Sequence, residues 1–185
     1  YALLMRRQSG KGILLDVLDA DSAWALVFAD DAAALYVRRT GALAAVAARM
    51  GYRVLGAGSA RLDALDVATA QNATLRARLV AELQRQEAAS PATSLASKML
   101  GYIAVLEGRR AEARREFERA LAVNPRTSRV HMELGVLALE DGRPEAALAE
   151  FLAERALNPA LSGLALRIGQ AHARAGHPER ARAWY

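Results

Sequence analysis

The chain has 185 residues, 53% hydrophobic and 24% charged, and its 25 Lys and Arg against 20 Asp and Glu leave a net charge of +5. That apolar share excludes an intrinsically disordered tail, and no stretch approaches the roughly 18 uninterrupted apolar residues of a membrane-spanning helix. The absence of cysteine excludes disulfides, thiolate metal sites and a cysteine nucleophile.

The first sixty residues read as a small α/β piece. Tyr1 to Met5 is a short apolar run, and Gln8 to Gly12 is a turn. Ile13 to Leu18 carries the apolar spread of a helix that ends near Asp19-Ala20-Asp21. Trp24 to Phe28 and Ala33 to Val37 are β-rich runs on either side of Asp30-Asp31, which predicts a hairpin. Gly41 to Met50 is an alanine-rich helix, and Tyr52 to Leu55 is expected to form a last short strand. Residues 1–59 are therefore taken as an α/β segment belonging to a larger domain. The stretch from Trp24 to Asp31, continued by Ala34 to Arg39, resembles the end of the soluble domain of certain bacterial multi-spanning membrane proteins similar to glycosyltransferases. Some of those proteins carry helical repeats behind this segment. The resemblance spans about forty residues, lacks any catalytic motif, and implies an extracytoplasmic, periplasm-facing location for a membrane-anchored parent.

Motifs for chemistry fail in this region. Ser9-Gly10-Lys11-Gly12 lacks both the earlier glycine and the following Ser or Thr of a phosphate loop. Gly56-Ala57-Gly58 runs on to Arg61 where a dinucleotide fingerprint needs glycine. Asp16, Asp19, Asp21, Asp30 and Asp31 read as turn and cap residues, since the glycine and third oxygen ligand of a calcium loop are missing. His131, His172 and His177 pair with no motif serine, and the last two stand five apart, off a shared helical face. No cofactor, no metal site and no enzyme are expected in these residues.

From Ala60 onward the texture is helical. A period of 34 residues relates Gly101, Gly135 and Gly169, then Gly108, Gly142 and Gly176, then Ala113, Ala147 and Ala181. Phe117, Phe151 and Tyr185 obey the same step, as do Pro125 and Pro159. The first glycines suit the crossing of two helices in a hairpin, and the second set suits a left-handed C-cap. Asn-Pro at 124–125 and 158–159 stops each second helix. The units LGYIAVLEGRRAEARREFERALAVNP, LGVLALEDGRPEAALAEFLAERALNP and IGQAHARAGHPERARAWY resemble tetratricopeptide repeats.

That resemblance implies a mainly α fold. It is an α-solenoid of about three repeats, at 94–127, 128–161 and an incomplete 162–185, preceded by a degenerate capping repeat or helical linker at 60–93. In the family the second, fifth, ninth and twelfth positions of each unit face a concave groove. Carried over, these are Leu95, Lys98, Tyr102 and Val105, then Arg129, Met132, Val136 and Leu139, then Gly163, Leu166, Gln170 and Ala173. Members that clamp a C-terminal carboxylate place asparagine beside lysine, whereas here Tyr102 stands beside Lys98.

The charge pattern adds little. Signs alternate through Arg114, Arg115, Glu116, Glu118 and Arg119, as on a solvated helix face, and no basic run with interleaved aromatics suggests nucleic acid. The chain begins at Tyr1 and ends inside a continuing helix, which reads as a piece of a longer polypeptide. The expected function is a non-catalytic protein-interaction scaffold that binds a peptide or helix of a partner, or neighbouring subunits, with no nucleic acid and no small-molecule substrate. Membrane association would come only through other parts of the polypeptide. The alternative is the soluble extracytoplasmic domain of a glycosyltransferase-like membrane protein or complex.

Overall fold

The computed structural model describes residues 1–6 and 12–184. The turn expected at 8–11 and the aromatic position at Tyr185 lie outside the described residues. Ten α-helices and one three-stranded sheet make up the fold among those residues. None of the helices is long and apolar enough to cross a membrane.

The apolar runs of the first third form strands β1 (Ala2–Met5), β2 (Trp24–Ala29) and β3 (Ala33–Arg38), with helix α1 (Ile13–Ala20) between β1 and β2. The sheet is antiparallel in the order β1-β3-β2, with Leu3 opposite Leu35 and Ala25 opposite Val37. Val27 falls between Leu26 and Phe28 without a partner, a bulge that turns both Leu26 and Ala29 toward one core. The other face is closed by α2 (Ala44–Met50), where Ala47 packs on Ala25, Val27 and Val37.

The strand expected over Tyr52 to Leu55 is absent, and the chain there is irregular. Its amides are already taken. The Glu82 carboxylate accepts from the backbone N–H groups of Arg53 (2.7 Å), Val54 (3.0 Å) and Leu55 (2.7 Å), leaving no ladder for a strand to join.

Residues 60–93 hold two helices, α3 (Ser59–Gln71) and α4 (Ala73–Ala89). Asp66 and Val67 replace the Leu-Gly pair and are exposed, while Leu65 of α3 shares a core with Leu79 and Leu83 of α4. α3 also rests on α1, where Asp16 accepts from the Ala60 amide at 2.9 Å. In α4, Leu79 and Leu83 are fully buried, and the Gln86 amide donates to the Ala29 carbonyl at 2.9 Å. One core therefore runs from Leu15 and Tyr36 in the α/β layer through Leu79 and Leu83 to Met99 and Ile103.

The repeats follow as helix hairpins α5 (Ser94–Leu106) with α6 (Arg110–Val123), α7 (Val130–Glu140) with α8 (Pro144–Leu157), and α9 (Leu164–Arg174) with the short α10 (Pro178–Arg182). Gly101 crosses Phe117 so closely that a β-carbon would come 2.5 Å from the ring, and Gly135 meets Phe151 in the same way. Ala113, Ala147, Phe117 and Phe151 are fully buried. Each second core couples one hairpin to the first helix of the next: Phe117 with Val130 and Leu134, then Phe151 with Leu164 and Ile168. Nearest-neighbour cores of this kind define a solenoid.

Candidate partner-binding groove

Two adjoining clefts flank α5, and its Lys98 lines both. The first, about 470 Å³, lies between α3 and α5. Its walls carry Asp63, Asp66 and Val67 from α3 and Tyr102, Val105 and Leu106 from α5, with Arg129 at the far side. Val67 and Leu106 are 67% and 50% exposed, so this cleft presents apolar surface to solvent. The second, about 720 Å³, is polar and includes Arg6, Leu95, Asn124, Arg126 and Asn158.

Packing fixes the central side chains. Tyr102 stands edge-on to Phe117 with ring centroids 5.4 Å apart, so the glycine-facing phenylalanine also props the groove tyrosine. The Lys98 ammonium lies 5.9 Å from the Tyr102 ring centre. Among the described residues no carboxylate comes within ion-pair distance of it. Burial lowers the Lys98 pKa, with Asp66 acting against that shift. Burial also raises the pKa values of Asp66, Glu133 and Tyr102. Lysine and carboxylates are thus partly stripped of water without being bonded to each other, a condition that a polar ligand relieves.

Arg129 is held unusually. It precedes α7 with φ +69°, the left-handed region, and is the one non-glycine residue with positive φ among the described residues. Its amide donates at 2.9 Å to the Glu154 carboxylate, which is wholly buried and also accepts from Met132 N at 3.3 Å. The carboxylate thereby meets the positive end of α7. One period later the same place is Gly163, φ +79°.

The structure gathers Leu95, Lys98, Tyr102, Val105 and Arg129 around the two clefts. It does not bring the remaining expected positions to them. Leu139 is 5% exposed and sits in the core against α9, and Met132 and Val136 pack on that same core, because the next hairpin covers this face of α7. Leu166, Gln170 and Ala173 lie on α9, away from both clefts, with Gln170 accepting from Arg167 at 3.3 Å. The histidines also lie elsewhere: His131 contacts Glu150 at 2.7 Å, and the His172 and His177 rings stand edge-on with centroids 6.4 Å apart despite their five-residue spacing.

Sequence reasoning missed Asp63, Asp66, Val67, Leu106, Arg126 and Arg6. The α3 residues had no repeat motif to place them. Arg6 reaches the groove from the N-terminal strand, and its guanidinium donates to the Asp30 carbonyl at 2.6 Å.

A tetratricopeptide-repeat family model matches residues 98–162. Solved structures of MamA proteins superpose on the chain. One has 18% identity and a TM-score of 0.55 over 60% of this chain and 64% of that one. A second has 17% identity and a TM-score of 0.54 over 67% and 72%. A third, titled MamA AMB-1, has 22% identity and a TM-score of 0.53 over 65% of each chain. At such identities the likeness is one of fold, and this chain spans about two thirds of the MamA length. No curated protein sequence matches the chain. The resemblance of residues 1–40 to glycosyltransferase-like membrane proteins is not borne out by these comparisons. Residues 98–162 thus match the tetratricopeptide-repeat family, within a mainly α solenoid preceded by a three-stranded sheet.

Proposed function

We propose that the chain is a non-catalytic binding module that takes an extended segment of a protein partner along the paired clefts. The observation that carries this reading is Lys98: a half-buried ammonium with no carboxylate partner among the described residues, at the junction of an apolar cleft and a polar, cationic one. A segment with apolar side chains on one side of an acidic residue would satisfy both. The apolar residues would cover Val67, Val105 and Leu106, and the acid would meet Lys98 with Arg129 or Arg126 beyond it. The clefts gain a wall from α3 and a cation, Arg6, from the N-terminal strand, so the α/β layer forms part of the binding surface.

Selection of peptides from a random displayed library tests this. Recovered peptides should pair an acidic residue with neighbouring apolar ones. Their affinity should fall at least about tenfold for Lys98→Glu and for Leu106→Asp. Glu118→Lys, on the exposed face of α6, should leave it unchanged. Peptides that bind Lys98→Glu and Leu106→Asp as well as the parent would refute the groove.

A further inference from the structure

All five aspartates of the first 61 residues accept hydrogen bonds from backbone N–H groups. Asp16 takes the Ala60 amide, Asp19 those of Ala57 (2.9 Å) and Gly58 (2.8 Å), and Asp21 that of Ala23 (2.8 Å). Asp30 takes Ala32 and Ala33, and Asp31 takes Ser94 and Leu95. The neighbouring arginines are left without them. Among the described residues the ion pairs all lie between Arg76 and Arg182, and none involves Arg38, Arg39, Arg53 or Arg61.

Three of these arginines converge. Arg39 at the end of β3, Arg53 in the loop after α2 and Arg61 on α3 line one pocket of about 250 Å³, together with Trp24 and Tyr52. Backbone carbonyls orient two of them without neutralising either: Arg39 Nε donates to Trp24 O at 2.9 Å, and Arg61 donates to Val54 O at 3.1 Å and Arg53 O at 3.2 Å. A guanidinium has five N–H donors, so both keep donors to spare. The Arg53 side chain has no hydrogen-bond partner among the described residues. A second tier stands behind, with Arg38 stacked 5.0 Å over Trp24 and Arg85 4.0 Å over Tyr52. Asp19 and Asp21 share the pocket wall, where Asp19 accepts from Tyr36 (2.6 Å) and the two amides and Asp21 from the Ala23 amide, and neither is ion-paired to an arginine among the described residues.

We propose that this pocket binds a phosphomonoester group. Three guanidiniums on one pocket wall, two of them held by backbone carbonyls, suit a tetrahedral oxyanion, whose several oxygens can each accept from a different fork, better than a two-oxygen carboxylate. The pocket is smaller than the roughly 300–1,000 Å³ of clefts that enclose a whole organic ligand. It therefore holds the phosphate, while the rest of the ligand lies in solvent.

Isothermal titration with inorganic phosphate, against acetate at matched ionic strength, tests the site. Phosphate should bind saturably, with acetate at least about tenfold weaker. Arg53→Gln removes a side chain that supports nothing in the fold and should weaken phosphate about tenfold, whereas Arg110→Gln in the repeat array should not. Glycerol 3-phosphate and a phosphoserine hexapeptide identify the source: tighter binding of the first marks a small metabolite, and of the second a phosphorylated chain. No saturable phosphate binding, or equal binding by Arg53→Gln at unchanged circular dichroism, would overturn the assignment.

Discussion

Asp31, at the tip of the β-hairpin, caps the first helix of the repeat array: its carboxylate accepts from the amides of Ser94 at 3.1 Å and Leu95 at 3.3 Å. The Asp31 amide donates in turn to the Ala92 carbonyl at 3.1 Å. A turn aspartate thus fixes where the solenoid begins relative to the sheet. Asp31→Ala should lower unfolding stability by about 1–2 kcal/mol, the usual loss for a helix cap with a dipole contribution. Asp21→Ala, which frees only the local Ala23 amide, should cost less than half of that. Urea denaturation of the two variants checks the ranking, and equal losses would deny Asp31 its capping role.

Gly101 and Phe117 make the closest approach within the first repeat hairpin. An alanine at 101 must displace a ring that is itself fully buried, so Gly101→Ala should cost about 1–3 kcal/mol of overpacking strain. Gly135→Ala should behave alike against Phe151. Shrinking the ring relieves the clash, so Gly101→Ala combined with Phe117→Leu should lose less than the sum of the single variants. Thermal melts of the three proteins decide it.

The repeats were legible because their constraints are local and periodic. A glycine against a ring, an alanine at a helix crossing and a left-handed Gly108 recur at one spacing, and each allows few residue types. The clefts were half legible through the family resemblance: Lys98 and Tyr102 follow from the positions that it implies. Leu139 did not, since whether a helix face is open depends on the next hairpin covering it. The wall formed by Asp66 and Val67 was hidden, because α3 departs from the repeat pattern and its position follows from Asp16 reaching Ala60. Likewise nothing local in Tyr52 to Leu55 announces that Glu82, on a helix 27 to 29 residues away, takes its amides.

Burial pushes the Glu133 carboxyl above its ordinary range, with Arg129 and Arg167 opposing the shift. A carboxyl whose folded pKa is raised disfavours the fold once it ionises. Its favourable contribution is whole below the unfolded pKa, about 4.3, and is lost as pH rises through the folded value. Glu133→Gln should therefore raise the Tm at pH 7, and the gain should vanish near pH 3.5, where the parent carboxyl is neutral in both states. Melting curves at the two pH values test the sign. A gain that persists at pH 3.5 would mean that the substitution acts through packing instead.

Arg129 occupies a backbone conformation that the equivalent unit fills with Gly163, φ +79°. Left-handed backbone strains a side-chain-bearing residue by about 1 kcal/mol or more, partly offset by the extra unfolded-state freedom of glycine. Arg129→Gly should consequently stabilise the fold by about 0.5 kcal/mol, and the capping bond to Glu154 survives because the amide donates it. The guanidinium that faces the Lys98 cleft is lost, so affinity for groove-binding peptides should drop at the same time. The two effects have opposite signs, which separates a residue kept for binding from one kept for structure. Denaturant midpoints and peptide titrations on one pair of proteins measure both. If Arg129→Gly weakens the fold and leaves binding intact, the strained arginine serves the helix start and not the groove.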